Sequence, residues 1–292
     1  MAAKILYGKE FAARIKEDAK KEALAIKEKS GVMPGLAVVI VGNDPASTVY
    51  VRNKQKACDE LGLYSVKVEM PETATKEELL AKIDELNSDK KVHGILVQLP
   101  LPKALKDAED EVLNRIDPRK DVDGFHPVNV GKLSVGDATL TPCTPTGVIR
   151  MLELSDINMD GAHAVVIGRS NIVGKPMANL LLQKNATVTV CHSHTKNLAD
   201  ITRTADIIVA AVGRPRFVTA DMVKPGATVI DVGINRISQG EGKKAKLIGD
   251  VDFDNVKEVA GAITPVPGGV GLLTIAMLMQ NTVTAAKDQL GL

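Results

Sequence analysis

The chain has no tryptophan, and aromatic residues make up only 2% of its 292 residues. Three cysteines occur, Cys58, Cys143 and Cys191, far apart and without a Cys-x-x-Cys pair. That scarcity argues against a disulfide framework or a structural zinc motif, so no metal is expected and a reducing, cytoplasmic setting fits best. An excess of one charge is missing as well, since 37 Lys and Arg stand against 36 Asp and Glu. No polyanion-attracting field results, which weighs against nucleic acid as a partner. Nor does any apolar run approach the ~18 residues of a membrane span. The lysine-rich N-terminus carries Glu10, Glu17, Asp18 and Glu22, at odds with a signal or transit peptide.

What remains is an ordinary globular composition, 45% apolar and 25% charged. Its length suits about two domains of ~150 residues each. Phe11, Ile15, Ala19, Ala23 and Ile26 recur at helical intervals, predicting an amphipathic helix over 9–29. The apolar run 36–41 reads as a buried strand, followed by a turn at Gly42-Asn43-Asp44-Pro45 and a helix ending near Leu61. A strand near 66–68, a helix over 75–87 and a strand over 93–99 continue the alternation. Residues 102–145, with Pro118, Pro127, Pro142 and Pro145, read as irregular. A helix from about 145 to 154 bridges to a second alternation, with strands near 163–168, 186–191, 206–211 and 227–232. Helices are expected between them, near 175–184, 196–204 and 219–223, and the apolar tail 272–290 reads as a helix packing back on the first half. The pattern predicts two α/β domains flanking a cleft, the second a Rossmann-like doubly wound parallel sheet. The expected division is 1–144 with 272–292, and 145–271.

The most informative stretch is Ala164-Val-Val-Ile-Gly168-Arg-Ser-Asn-Ile-Val-Gly174-Lys-Pro176. An apolar strand ends in a glycine loop that opens a helix, and the unpaired amides of a helix start favour a phosphate. The loop departs from Gly-x-Gly-x-x-Gly, so strand and helix context carry the assignment. The next strand runs into Cys191-His192-Ser193-His194 and lacks the acidic residue that accepts from an NAD ribose. Arg169 and Ser193 suit a 2′-phosphate instead, favouring NADP. His192 and His194 read as surface residues rather than a metal site.

Tyr50 and Lys54 stand one helical turn apart, either on a solvated face or at the carboxyl end of the first sheet, where a desolvated lysine serves acid–base chemistry. Gln98 is either a satisfied core amide or a ligand to substrate or to Lys54. Lys120-Asp-Val-Asp123-Gly124 is a turn with two acids and lacks the further ligands of a calcium loop. Thr264-Pro-Val-Pro267-Gly268-Gly269-Val-Gly271 is either a crossover or a place where backbone meets a ligand closely.

Taken with Pro142-Cys-Thr-Pro-Thr-Gly147, these segments resemble the bifunctional methylenetetrahydrofolate dehydrogenase/methenyltetrahydrofolate cyclohydrolase family over nearly the whole chain. The resemblance implies oxidation of 5,10-methylenetetrahydrofolate with NADP, then hydrolysis of the methenyl product to 10-formyltetrahydrofolate. It implies a folate-binding first domain, an NADP-binding second domain and a homodimer. It also places Lys54 at the centre of the hydrolysis with Gln98 and Asp123 around it. Tyr50, Asp123, Pro267, Gly268 and Gly269 would meet the folate. Gly168, Arg169, Ser170, Gly174, Ser193 and Ile234 would meet NADP. One departure is visible, because Leu272-Leu273 stands where the family commonly has Pro-Met. It frees a backbone amide and bears on folate affinity and loop rigidity. No ligase domain of the longer, trifunctional relatives is expected.

Overall fold

The computed structural model describes residues 3–238 and 245–292, which form two compact units. One comprises Ala13–Cys143 and Ile275–Leu292, the other Thr144–Thr274 together with the N-terminal segment through Ala12.

The chain opens with β1 (Lys4–Ile5) and α1 (Gly8–Ser30). Ala12, Ile15, Ala19, Ala23 and Ile26 form the buried stripe of α1, as three-and-four spacing requires. β2 (Gly35–Val41) is buried at every position, and its run of aliphatic residues suits a strand covered on both faces. α2 (Pro45–Leu61) follows, with the Asp44 carboxylate accepting from the Ser47 amide at 2.7 Å and proline at the first helical position. β3 (Tyr64–Met70), α3 (Lys76–Ser88) and β4 (Gly94–Val97) complete the layer. The strands pair in parallel in the order β3-β2-β4. β4 ends before Gln98, although the Gln98 amide still donates to Val39 O at 2.8 Å. Gln98 therefore stands at the lip of the sheet, not inside a strand.

The stretch 102–145 is more regular than its composition suggests. It holds a 3-10 turn at Lys103–Ala108, α4 (Glu109–Arg115) and α5 (Pro127–Val135). At seven and nine residues, α4 and α5 are too short for an apolar stripe to repeat. α6 (Cys143–Leu154) then leads into the other unit.

There β5 (His163–Ile167), α7 (Gly174–Gln183), β6 (Thr187–Cys191), α8 (Leu198–Thr202), β7 (Ile207–Ala210) and β8 (Thr228–Asp231) alternate. A 3-10 turn at Ala220–Met222 replaces the helix expected near 219–223. The pair β9 (Asn235–Ile237) and β10 (Lys246–Ile248), the one-turn α9 (Phe253–Val256) and β11 (Ala262–Ile263) were not legible from periodicity. Their two to four residues cannot show a period. The sheet runs β1-β11-β8-β7-β5-β6, with every pair parallel. From β5 the chain steps to one side for β6, then to the other for β7. Such a fold binds ligands outside the carboxyl ends of the strands at that reversal.

α10 (Gly271–Leu290) ends the chain. Its residues from Ile275 onward belong to the first unit, where Met279 meets Cys58, sulfur to sulfur, at 3.7 Å. The buried Asn281 amide donates to Val122 O at 2.8 Å and Thr141 O at 2.9 Å, tying the segment before Asp123 to the helix. Asn281→Leu would strand both carbonyls, and we expect urea denaturation to show a loss of about 2–4 kcal/mol. Gln280→Ala, whose amide reaches only the exposed Glu22, should stay within about 0.5 kcal/mol of wild type.

Candidate active site

α2 begins at the carboxyl end of β2, and its pitch sets Tyr50 and Lys54 on one face. Tyr50 is 43% exposed and Lys54 is half-buried. The Lys54 ammonium donates to Gln98 Oε1 at 2.9 Å, while the Gln98 amide nitrogen donates to Leu99 O at 2.7 Å. The second bond fixes the first, because it holds the amide with its oxygen toward the lysine. Of the two roles open to Gln98, the geometry is that of a ligand to Lys54.

Burial lowers the Lys54 pKa below the usual lysine range, although the Asp123 carboxyl and the Cys143 thiol act the other way. Burial also pushes the Asp123 carboxyl up to about 6; Lys54 pulls it back, Asp121 adds to the rise, and the Cys143 thiol bond opposes it. The loop that carries Asp123 is anchored through its neighbour. Asp121 Oδ2 accepts from the His126 amide and from Asn129 Nδ2, both at 2.8 Å. Its carboxylate braces the turn. The result is an amine whose pKa burial lowers beside a carboxyl raised to about 6, two groups whose environments bring their titrations closer together, a pairing suited to moving protons.

Two members of this cluster were not singled out by residue type. Cys143 Sγ is buried, 3.3 Å from Val122 O and 3.9 Å from Asp123 Oδ1. Burial keeps its thiol protonated far above the ordinary range, so it acts as a donor to the carboxyl. Asn281 Nδ2 lies 3.6 Å from the same sulfur. The sequence signal for Asn281 is an amide that follows the apolar run 275–279 of the tail, since a buried amide needs partners.

In the other unit, the loop after β5 owes its shape to two glycines. Gly168 has φ +128°, and a Cβ there would lie 2.2 Å from Ala211 O. A Cβ on Gly174 would lie 2.2 Å from Gly168 O. The two glycines pack on each other, which explains their six-residue spacing. Ser170 Oγ accepts from the Val173 and Gly174 amides at 3.2 and 3.3 Å, shaping the start of α7. Arg169 and Ser193 are exposed just beyond the carboxyl ends of the adjacent strands β5 and β6. No Asp or Glu lies between the end of β6 and Asp200. His192 Nδ1 accepts from the His194 amide at 3.2 Å. Among the described residues no group of His, Cys, Asp and Glu could hold a metal.

The Pro-Gly-Gly segment belongs to this same unit. Gly268 O accepts from the Gly8 amide at 2.8 Å, and a Cβ on Gly8 would strike Gly269 O at 2.0 Å. The start of α1 thus braces the loop. The amide freed by Leu272 donates to Gly269 O at 3.4 Å, and the Leu272 side chain is 44% exposed. Ile234 is 51% exposed, with its Cδ1 3.6 Å from the Cβ position of Gly271. Lys54, Gln98 and Asp123 are therefore grouped in one unit, and the glycine loop, Ser193, Ile234 and Pro267–Gly269 lie in the other.

Comparison with known proteins covers both units. Residues 6–123 match the family model of the tetrahydrofolate dehydrogenase/cyclohydrolase catalytic domain, and residues 142–290 match that of its NAD(P)-binding domain. The bifunctional protein FolD of Halalkalibacterium halodurans is 56% identical over 288 residues, covering 99% of this chain and 100% of that one. The crystal structure of the bifunctional FolD enzyme from Campylobacter jejuni superposes with a TM-score of 0.92 at 50% identity, over 99% of this chain and 100% of the other. The Trypanosoma brucei enzyme, solved with NADP and an inhibitor, gives a TM-score of 0.93 at 38% identity, over 99% of each chain. This chain belongs to the tetrahydrofolate dehydrogenase/cyclohydrolase family.

Proposed function

We propose that the protein oxidises 5,10-methylenetetrahydrofolate with NADP and hydrolyses the resulting methenyl compound to 10-formyltetrahydrofolate. The observation that carries the reading is the desolvated Lys54 amine held by Gln98 beside Asp123. A plain nucleotide-dependent dehydrogenase has no use for it. Residues 1–144 with 272–292 serve the folate, and 145–271 serve NADP while also lending the folate the Pro267–Gly269 backbone. The enzyme works as a homodimer in the cytoplasm, a reading supported by the family and by three free, buried cysteines.

The residues fit the cofactor. The close fit of Gly168 on Ala211 and of Gly174 on Gly168 folds the loop tightly onto the start of α7, whose unpaired first-turn amides suit a pyrophosphate, with Ser170 shaping the turn; Ile234 is exposed in the same unit. Arg169 and Ser193 suit the 2′-phosphate, where an acidic residue would repel it. NADP, when bound, accepts the hydride. Asp123 in its ionised form accepts the side-by-side N–H and amino hydrogens of the pterin. Tyr50 offers a flat face for the ring, and Pro267, Gly268 and Gly269 offer backbone. Oxidation leaves a delocalised cation, so that step calls chiefly for positioning.

Hydrolysis asks more of the protein. Water adding to the methenyl carbon must lose a proton, and the departing ring nitrogen must gain one. A neutral Lys54 amine takes the first and returns it to the nitrogen, and the remaining proton goes to solvent. Lowering the lysine pKa raises the fraction of amine ready to do this, and Gln98 keeps it aimed.

Purified protein given methylenetetrahydrofolate should reduce NADP faster than NAD, without accumulating methenyl absorbance at a pH where that compound persists unaided. Reduction with neither cofactor would overturn the reading. Lys54→Met should cut hydrolysis by about 100-fold or more while leaving most hydride transfer. Equal loss of both would refute the division of roles. Because Asp123 holds its proton up to about 6, kcat/KM for folate oxidation should fall as pH drops through that value. Asp123→Asn should flatten this acid limb in a stopped-flow pH series as well as weaken folate binding.

A further inference from the structure

Two aspartates in the nucleotide-binding unit are buried and take no part in the chemistry described above. Asp231, at the end of β8, is 2% exposed, and Asp250, after β10, is fully buried. Buried carboxylates are costly unless hydrogen-bonded, and these two are held by an unusual number of donors. Asp231 Oδ1 accepts from the amides of Gly233 at 3.0 Å and Asp250 at 2.9 Å, and Oδ2 accepts from Val251 at 2.9 Å. Asp250 Oδ2 accepts from the amides of Val212 at 2.7 Å and Gly213 at 2.8 Å, and Oδ1 accepts from Asn235 Nδ2 at 2.9 Å.

The two segments interlock through their glycines. A Cβ on Gly233 would lie 2.1 Å from the Asp250 carboxyl, and one on Gly249 would lie 1.8 Å from the Asp231 carboxyl. Each glycine makes room for the other segment's aspartate. The sheet does not require this arrangement, since β8 already pairs on both sides. What it orders is the pair of loops leaving β7 and β8, residues 211–213 and 232–235.

Those loops occupy a particular place. β7 and β5 flank the reversal of strand order, and Gly168 of the glycine loop fits against Ala211 O. Arg169 and Ser193, on the β5 and β6 side, claim the phosphate-bearing end of an elongated dinucleotide. Its other end must then extend over the β7 and β8 loops, where Ile234 is exposed. We infer that Asp250, clasped with Asp231, is a positioning residue for hydride transfer, holding the Val212–Gly213 and Ile234–Asn235 loops in the shape that receives the reactive end of NADP. This rests on the function proposed above.

The test is Asp250→Asn in the full-length enzyme, with the two reactions assayed separately. The KM for NADP should rise by about tenfold or more, as expected for losing charge-assisted bonds to two loop amides. Hydrolysis of methenyltetrahydrofolate supplied directly should stay within about twofold, because Lys54, Gln98 and Asp123 lie in the other unit. Asn235→Ala, which removes one donor only, should raise the NADP KM by about threefold and serves if the first variant fails to fold. An unchanged NADP KM in the folded variant, or a parallel fall of both activities at constant KM, would overturn the inference in favour of a purely structural role. Failure of the wild-type enzyme to reduce NADP would overturn the proposed function, and this inference with it.

Discussion

The candidate site is built around a lysine ammonium that has given up much of its water for a neutral amide oxygen. Lys54 keeps a single amide partner in Gln98, and burial outweighs the charges that would hold its proton. A carboxylate in the place of Gln98 would have stabilised the ammonium and removed the basic amine. An apolar side chain there would have left the amine without direction. The amide does neither, and its own orientation is set by Leu99 O. The position of Gln98 follows from β4 stopping one residue earlier, with the last ladder bond to Val39 keeping it in register.

Asp123 depends on a longer chain of support. Its loop is held below by Asp121, which takes two donors, and from behind by Asn281, which takes the Val122 carbonyl. The C-terminal helix thus reaches the site through one buried amide. Cys143 adds a thiol that burial keeps protonated, so the carboxyl meets a donor on one side and a cation on the other. Burial drives the carboxyl up, Lys54 and the thiol bond pull it back, and Asp123 titrates at about 6. On the function proposed above, that value leaves the carboxylate ionised at neutral pH to accept from a pterin.

The legible parts of the molecule were those with a period or a punctuating residue. The strand-helix alternation, the Asn-Asp-Pro start of α2 and the glycine loop all announce themselves, because burial on both faces, helix capping and helix starts each restrict residue type. The pairing of Lys54 with Gln98 was open in the sequence, since 44 residues separate them. Only the parallel register of β2 with β4 settles it. β1, β11 and the β9-β10 pair were invisible because strands of two or three residues carry no alternation. The aspartate clasp was hidden for a different reason. Asp231-Val-Gly233 and Gly249-Asp250 each read as an ordinary polar turn, and their meaning lies in how each fills the space the other leaves.

Leu272, where the resemblance implies a proline, meets the preceding loop through its backbone amide. Proline is tolerated in the first turn of a helix because the amide it lacks has no helical partner there. Leu272 restores that amide at the start of α10, and Gly269 O receives it in a long bond. Rigidity that a proline ring would supply through its fixed φ is supplied to this loop from another direction, by the Gly8 amide and the close fit of Gly8 against Gly269. Those two constraints come from the beginning of the chain and do not involve residue 272. Backbone presentation by Gly268 and Gly269 therefore depends less on the helix that follows them than on the N-terminal turn that β1 carries to the sheet.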